Sequence, residues 1–462
     1  MSNIIGLLDI GRGALLAHQK AISITGHNIA NVNTPGYSRQ RVNLATNPGL
    51  TSSPGQMGAG VKASDIQRIY DQFLGSQINT ESYNLGKWEA QKSSLERVEI
   101  IFDETTGFGL NQAMGDFFNA WQDLANNPTG HTERQVLVAE SEIMTETFNK
   151  ISSDLNQLQN DLDSSIEGAV IEINTIAGQI SDLNVKISDI ERSGQNANDL
   201  RDKRDLYLKE LSSMIDISFF EGNDGQVTVL VGSGNPLLQP PYVLSLSTVT
   251  NASGHEDVVW VDRDGNTVDI TNDISGGKLK GWLETRDVAI EDYKTKLDDL
   301  AASIITEVNN LHTAGFDLNG VSGLSFFTGS SASDISVNPV IAGDVNLIAA
   351  SGTALGAPGD NSNAIAIANL QNSLLMNGGT ATYDDFYNSL VSDVGIAVQS
   401  AQTNYDHQTE MVSSLDNYRE SISGVSLDEE MVNLIKFQHA YDAAAKLISA
   451  VDEMMNTVMN MV

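Results

Sequence analysis

Apolar residues recur along this chain with two different periods, and the longest stretches keep the helical one. Leu8, Leu15, Ile22 and Ile29 stand seven apart, with Ile4, Ala14 and Ala21 beside that line. This spacing predicts one helix carrying a coiled-coil stripe. Ser2 can cap its start. Thr34-Pro35-Gly36-Tyr37 ends it, because Pro35 suits the second and Gly36 the third position of a type II turn. The glycine-rich stretch 47–60 reads as a loop or loose hairpin. From 65 to 102 the helical period returns with Ile66, Ile69 and Phe73, then Trp88, Leu95 and Phe102, and residues 105–109 break it. A short helix around Phe117, Phe118 and Trp121 runs into Asn126-Asn127-Pro128.

The longest periodic segment follows, stepping by threes and fours through Met144, Phe148, Ile151, Leu155, Leu158, Leu162, Ile166, Ala169, Ile173, Ile176, Ile180, Leu183, Ile187 and Ile190. As a helix over 133–192 it makes a rod of roughly 90 Å. The two consecutive fours at Leu158-Leu162-Ile166 are a stutter, which locally unwinds a left-handed supercoil. A second helix over 198–214 leads into period two. Ile215, Ile217 and Phe219 alternate, Asn223-Asp224-Gly225 offers a hairpin turn, and strands read at 227–231, 242–246 and 258–261. Helical spacing resumes at Ile290, Tyr293, Leu297, Leu300, Ile304, Val308 and Leu311, with Gly315 placed to cap it.

The last third is helical from about 383, broken only near Ser423-Gly424. Leu427, Met431, Leu434, Gln438, Tyr441, Ala445 and Ile448 alternate steps of four and three, and Val451, Met455, Val458 and Val462 continue the line. The expected fold is mainly α with an inserted β domain. Residues 1–38 and 424–462 form a terminal coiled-coil domain, and 39–214, 273–315 and 361–423 a long helical bundle. Residues 215–272 form a small antiparallel β domain, and 316–360 an excursion of short strands and loops.

Charge narrows the partners. The chain has 26 basic and 60 acidic residues, a net of −34, which repels nucleic acid and anionic lipid surfaces. No apolar run approaches the roughly 20 residues that span a bilayer. Neither nucleic acid nor membrane is expected as a partner. Asp9, Arg12, His18 and Lys20 interrupt the first helix, so no cleaved general secretory signal is expected. The absence of cysteine removes disulfides and thiolate chemistry and leaves packing and assembly as the sources of stability.

The search for chemistry favours structural readings, with no catalytic, cofactor or metal site expected. His18, His27, His131, His255, His312, His407 and His439 form no i,i+4 pair. Asp262-Arg263-Asp264-Gly265 faintly resembles a calcium loop, but its glycine comes two places early, and a hairpin turn is the better reading. Gly232-Ser233-Gly234 lacks the lysine of a phosphate loop and reads as a strand-ending turn. The dense charge run Arg201-Asp202-Lys203-Arg204-Asp205 reads as a surface salt-bridge ladder. The terminal stripes could simply cover a local core. Yet no charged side chain follows Glu453, and Met454, Met455, Met459 and Met461 crowd that tip, so association between subunits is favoured.

Ala30-Asn31-Val32-Asn33-Thr34-Pro35-Gly36-Tyr37 resembles the N-terminal signature of bacterial flagellar rod, hook and hook-associated proteins. The run Ser423-Gly424-Val425-Ser426-Leu427-Asp428-Glu429-Glu430-Met431, with Asn433-Leu434-Ile435-Lys436-Phe437-Gln438 and Ala440-Tyr441, is similar to the ending of the hook-filament junction protein family and is far more specific. Residues 199–205 and Ala314-Gly315-Phe316-Asp317-Leu318-Asn319-Gly320 also resemble that family's internal motifs, so the likeness covers nearly the whole chain. It implies a non-enzymatic ring subunit, exported unfolded through the flagellar type III apparatus and located at the hook-filament junction. Implied partners are further copies of the chain, the hook protein, a second junction protein and an export chaperone on the C-terminal helix. The outer region is shorter than in some relatives, so no large third outer domain is expected. Two alternatives remain open here: another axial component such as hook or distal rod protein, and an extracellular hydrolase or glycan-binding module carried on the β insert.

Overall fold

One helix carries the longest run of threes and fours, and the other elements are arranged along it. A computed structural model describes residues 2–52, 55–103 and 109–460. It opens with α1 (Ser2–Ala30), β1 (Gln40–Thr46), β2 (Leu50–Ser52), β3 (Gly55–Met57), β4 (Val61–Arg68), α2 (Gln72–Ile101), α3 (Leu110–Asn126) and α4 (His131–Glu191). The middle holds α5 (Asn198–Met214), β5 (Ile217–Glu221), β6 (Val227–Val231), β7 (Asn235–Gln239), β8 (Tyr242–Val243), β9 (Ser245–Thr250), β10 (Glu256–Val261) and β11 (Thr267–Asp269). The rest is α6 (Gly277–Glu284), α7 (Ile290–Ala314), β12 (Phe327–Thr328), β13 (Ser336–Val337), α8 (Pro339–Gly343), α9 (Ser362–Ala368), α10 (Tyr383–Ser423) and α11 (Leu427–Asn460). The expected class, mainly helical with small antiparallel sheets between long helices, is the one observed.

The 61 residues of α4 make the rod, and every apolar position of its stripe from Met144 to Ile187 is buried. The stutter has a structural counterpart. Up to Leu162 the stripe packs in a core with Phe117, Phe118 and Trp121 of α3 and with α7 and α10. From Ile166 to Ile180 it packs in a second core with α5, α6 and both larger sheets, and Leu183 and Ile187 pack with Ala197 beyond it. Two consecutive steps of four rotate the stripe around the helix, and that rotation hands it from one set of partners to the other. At this level α6 runs into α7 through a π turn, Thr285–Ala289. The fully buried Arg286 donates to Asp163 Oδ1 at 2.5 Å and to the Glu256 carbonyl at 2.7 Å, while Gln159 donates to the Arg286 carbonyl at 3.0 Å.

The β insert has the expected hairpins, in a four-stranded sheet ordered β5-β6-β7-β8 and a three-stranded one ordered β11-β10-β9. It is not a separate core. Val227, Val229, Val231, Leu246 and Val258 are buried against Ile166 to Ile180 of α4. A small sheet has one apolar face that needs a second layer, and here α4 supplies it. The excursion at 316–360 is also more than loops. Phe326, Phe327, Ile335, Ile341 and Ile348 are buried in the first core. Gly315 does end α7, but in extended rather than left-handed backbone (φ −84, ψ −177). Its requirement is close approach, since a Cβ there would lie 2.1 Å from Asn363 Nδ2.

One stretch departs from the expectation of helix. Residues 40–68 form an antiparallel hairpin in which Val42 pairs with Ile66 and Thr46 with Val61, with β2 and β3 at its tip. Helix α2 starts only at Gln72, capped by Asp71, whose Oδ1 accepts from the Phe73 and Leu74 N–H groups at 3.0 and 3.2 Å. Phe73, expected on the apolar line, is 81% exposed. The spacing of Ile66, Ile69 and Phe73 mimics a helix by coincidence. Residues 105–108 of the expected break, and the Ser2 side chain, lie outside what the structure describes.

Candidate assembly interface

The two terminal helices meet each other. α1 and α11 run antiparallel, with Gly11 against Ile448, His18 near Phe437 (ring centroids 6.3 Å apart) and Asn28 bonded to Glu430. The line α1 offers to its surroundings is made of small residues: Gly11, Ala17, Ala21, Thr25 and Asn28 are the buried ones. On α11 the corresponding line is Glu430, Leu434, Phe437, Tyr441, Ala444, Ile448, Val451 and Met455, in steps of four and three.

The stripes expected from sequence therefore sit beside the seam on α1 and partly in it on α11. Ile4, Leu8, Leu15, Ile22 and Ile29 are all half-buried. Leu434, Tyr441, Ile448 and Met455 are half-buried and Val451 is buried, whereas Leu427 (47% exposed), Met431 (56%) and Val458 (41%) point to solvent. Val462 lies outside the described residues. Pairing also leaves Ile5, Leu16, Val432, Ile435, Met454 and Met459 exposed. A helix pair that has closed its own seam and still shows this much apolar surface has the character of an interface.

A polar joint connects the pair to the rod, and the residues of the N-terminal motif build it. After Ala30 the helix ends, Asn31 Nδ2 donates to the His27 carbonyl at 3.0 Å, and Thr34 Oγ1 donates to Asn31 Oδ1 at 3.1 Å. The exposed Pro35 leads into Gly36, whose φ of 77 is the left-handed value the turn needs, and the Tyr37 N–H closes it on the Thr34 carbonyl at 3.2 Å. The Tyr37 hydroxyl donates to Asn28 Oδ1 at 2.7 Å, and Asn28 Nδ2 donates to the Gln40 carbonyl and to Glu430 Oε2 at 2.8 and 3.0 Å. Arg39 reaches across α11 to Glu430 at 2.8 Å and Glu429 at 2.7 Å.

The run 199–205 belongs to this joint and is not a surface ladder. Asp202 accepts from the Ser38 N–H at 2.9 Å and from Arg68 at 2.7 Å, and Arg68 also pairs with Asp205 at 2.6 Å. Arg201 pairs with Glu191 and Glu221, and the buried Arg204 with Glu221, Asn184 and the Gly225 carbonyl. Arg201 and Asp205 one turn apart suggested a local pair, but their partners are far along the chain. Burial raises the Asp202 carboxyl against the opposing pull of Arg68. Burial also raises the Tyr37 phenol, reinforced by Asp199, Asp202 and Glu430, so it stays a neutral donor at physiological pH. Sequence reading passed over Asn28, Arg39 and Arg68, and adjacency on a helix reads Glu429-Glu430 as a solvated acidic face, whereas Glu430 is buried on Asn28 and Arg39. The one available signal was Glu430, a carboxylate at a position where the heptad asks for an apolar residue.

Other candidate motifs are structural. Asp262 caps the β10–β11 turn by accepting from the Asp264 and Asn266 N–H groups, and Gly232 to Gly234 make the β6–β7 turn. Among the described residues no three potential metal ligands come together, and no helix is long and apolar enough to cross a membrane.

Residues 8–37 match the family described as flagella basal body rod protein, and residues 417–461 the family described as flagellar basal body rod FlgEFG protein C-terminal. Those segments are α1 with its turn, and α11 with the end of α10. A paired-helix terminal module of this kind defines a structural protein of the bacterial flagellum. Residues 95–327 match the flagellar hook-associated protein FlgK helical domain. Flagellar hook-associated protein 1 of Bacillus subtilis (strain 168) is 32% identical over 98% of this chain and 97% of its own length. That of Escherichia coli (strain K12) is 25% identical over 98% and 99%. The chain belongs to the flagellar hook-associated protein 1 (FlgK) family. The flagellar hook junction protein FlgK from Burkholderia pseudomallei shares the fold, with a TM-score of 0.68 at 16% identity over 75% of this chain and 100% of that one.

Proposed function

We propose that the chain is a subunit of the junction between hook and filament, assembling through its paired terminal helices. The observation that carries this reading is the apolar surface left on α1 and α11 after they have buried their common seam. The assembly surface comprises Ile4, Leu8, Leu15, Ile22 and Ile29 of α1 with Leu427, Met431, Leu434, Tyr441, Ile448, Met455 and Val458 of α11, while Val451, expected with them, is taken up by the seam itself. The module 1–38 with 424–462 lines the inner tube, and the rod built on α4 stands outside it. Partners are further copies in a ring, the hook protein and a second junction protein.

Such a surface needs a cover before assembly. Export of the unfolded chain by the flagellar type III system, with an uncleaved N-terminal signal and a chaperone on α11 in the cytoplasm, meets that need. The role is mechanical rather than catalytic.

Two experiments test it. Removing 1–32 or 424–462 abolishes hook binding and filament attachment; retention of both contradicts the reading. Deleting the gene leaves bare hooks with flagellin shed into the medium, whereas absent hooks indicate an earlier component.

A further inference from the structure

Two sets of polar bonds meet at the joint, and they share little. One set lies inside the terminal module: Asn28 holds the Tyr37 hydroxyl, the Gln40 backbone and Glu430, and Arg39 holds Glu429 and Glu430. The other set crosses to the rod and lands chiefly on one stripe of α5. Asn198 donates to the Ile66 carbonyl at 3.0 Å, and Asp199 accepts from Gln40 Nε2 at 2.6 Å and lies 3.3 Å from His27 Nε2. Asp202 takes the Ser38 N–H and Arg68, and Asp205 takes Arg68 as well. Positions 198, 202 and 205 are steps of four and three, so they share one face of the helix, with 199 at its edge.

No apolar core reaches across this second contact. Among the described residues, none of the three buried apolar clusters contains a residue of 2–70 or of α11. Gly36 does lie against Leu206, but that side chain is itself 38% exposed. Parts of one chain that meet without a large apolar interface move relative to each other by default. The backbone crosses the joint twice, through 69–71 and 424–426, short links outside helix and strand. A few such residues are enough for a hinge. Arg68 is the fastening with the most partners: its guanidinium lies over the Tyr70 ring, 4.2 Å from the centroid, and pairs with both Asp202 and Asp205.

We propose that the α5 stripe is a socket from which the terminal module swings as one body about 69–71 and 424–426, with Arg68 as the latch. Release breaks the α5 contacts and the 2.8 Å bond from the Arg39 N–H to the Ser423 carbonyl, and leaves the Asn28 cluster and the α1–α11 seam closed. The groups set free, Arg68 with Asp199, Asp202 and Asp205, come out into water, so opening strands no buried charge. In copies joined through their terminal modules, the rods then tilt without breaking the contacts between copies. That consequence rests on the assembly reading above; the swing itself does not.

The chain lacks cysteine, which makes the test direct. Spin labels on Ala450→Cys and Lys186→Cys, both exposed, report the distance between α11 and the rod in the purified full-length chain by pulsed electron resonance. Ala450 stands about 30 Å beyond Glu430 along α11, so a swing of about 20° moves its label by about 10 Å. The parent gives one dominant distance, and Arg68→Gln raises the share displaced by about 10 Å roughly tenfold. Asp199→Ala, at the edge of the socket, raises the same displaced share by less. Hydrogen exchange in α1 and α11 stays at the parent level in both variants, because the module moves intact. An unmoved distance in both variants, or a new distance accompanied by lost protection in α1 and α11, overturns the proposal. The unassembled chain is measured, so the outcome is independent of where the chain stands in the flagellum.

Discussion

The Asn28 amide donates to the Glu430 carboxylate at 3.0 Å, joining two residues 402 positions apart at the mouth of the α1–α11 seam. Asn28 also accepts from the Tyr37 hydroxyl and the Gln40 N–H, so one side chain fastens the motif turn, the hairpin and both terminal helices. Asn28→Ala strands two buried partners. The expected loss is about 2–3 kcal/mol, confined to the terminal module. Hydrogen exchange checks it: α1 and α11 lose protection while α4 keeps its own.

Gly11 sets how closely the pair approaches. A Cβ there would lie 2.7 Å from Ile448 Cγ1. Gly11→Val is expected to destabilise the pair by roughly 1–3 kcal/mol, and Ile448→Ala in the same chain to recover part of that loss. Urea unfolding followed by a probe on α1 measures both; equal losses for the single and double variants contradict the contact.

Where the two cores of α4 meet, Asp163 holds the buried Arg286 and also His255 at 3.0 Å. Asp163→Leu leaves a guanidinium short of its partner, at a cost of roughly 3 kcal/mol. Loss is expected at the π turn first, as new proteolytic cleavage near 285–289 before global unfolding.

His312 makes stability depend on pH. Its Nδ1–H donates to the Leu324 carbonyl and its Nε2 accepts from the Ala349 N–H at 3.0 Å, which fixes the neutral ring. Burial lowers its pKa from 6.5 to about 4; the Leu324 bond opposes that shift and Arg134 adds to it. A lowered pKa means that protonation favours the unfolded chain. The contribution is complete above pH 6.5 and is lost as pH falls toward 4, about 3 kcal/mol in all. Urea midpoints between pH 7.5 and 4.5 should fall less steeply in His312→Gln than in the parent.

Much of this was legible from periodicity because long amphipathic helices repeat their signal many times. The rod, its stutter, α5 and the break between α10 and α11 all followed from apolar spacing. The phase of the terminal stripes did not. Close helix approach favours small residues such as Gly11, Ala17 and Ala21, which a search for large apolar side chains passes over. Glu430 in the seam depends on Asn28 and Arg39, remote in sequence. The hairpin at 40–68 was half hidden because Ile66, Ile69 and Phe73 fit a helical spacing as well as a strand followed by a capped helix. The charge run 199–205 misled for a related reason: local spacing suggested i,i+4 pairs, while tertiary contact supplied Arg68, Glu191 and Glu221.

The central claim is that the apolar flank of the terminal pair, and not the rod, joins the subunits. Its most direct test is immunogold labelling of hook tips in cells whose only copy carries Met431→Asn and Ile435→Asn, two side chains 56% and 51% exposed and so dispensable for folding. The account predicts an unchanged unfolding midpoint for the purified chain, a fall of about tenfold in labelled hook tips, and flagellin in the medium. Undiminished labelling with filaments attached would contradict it.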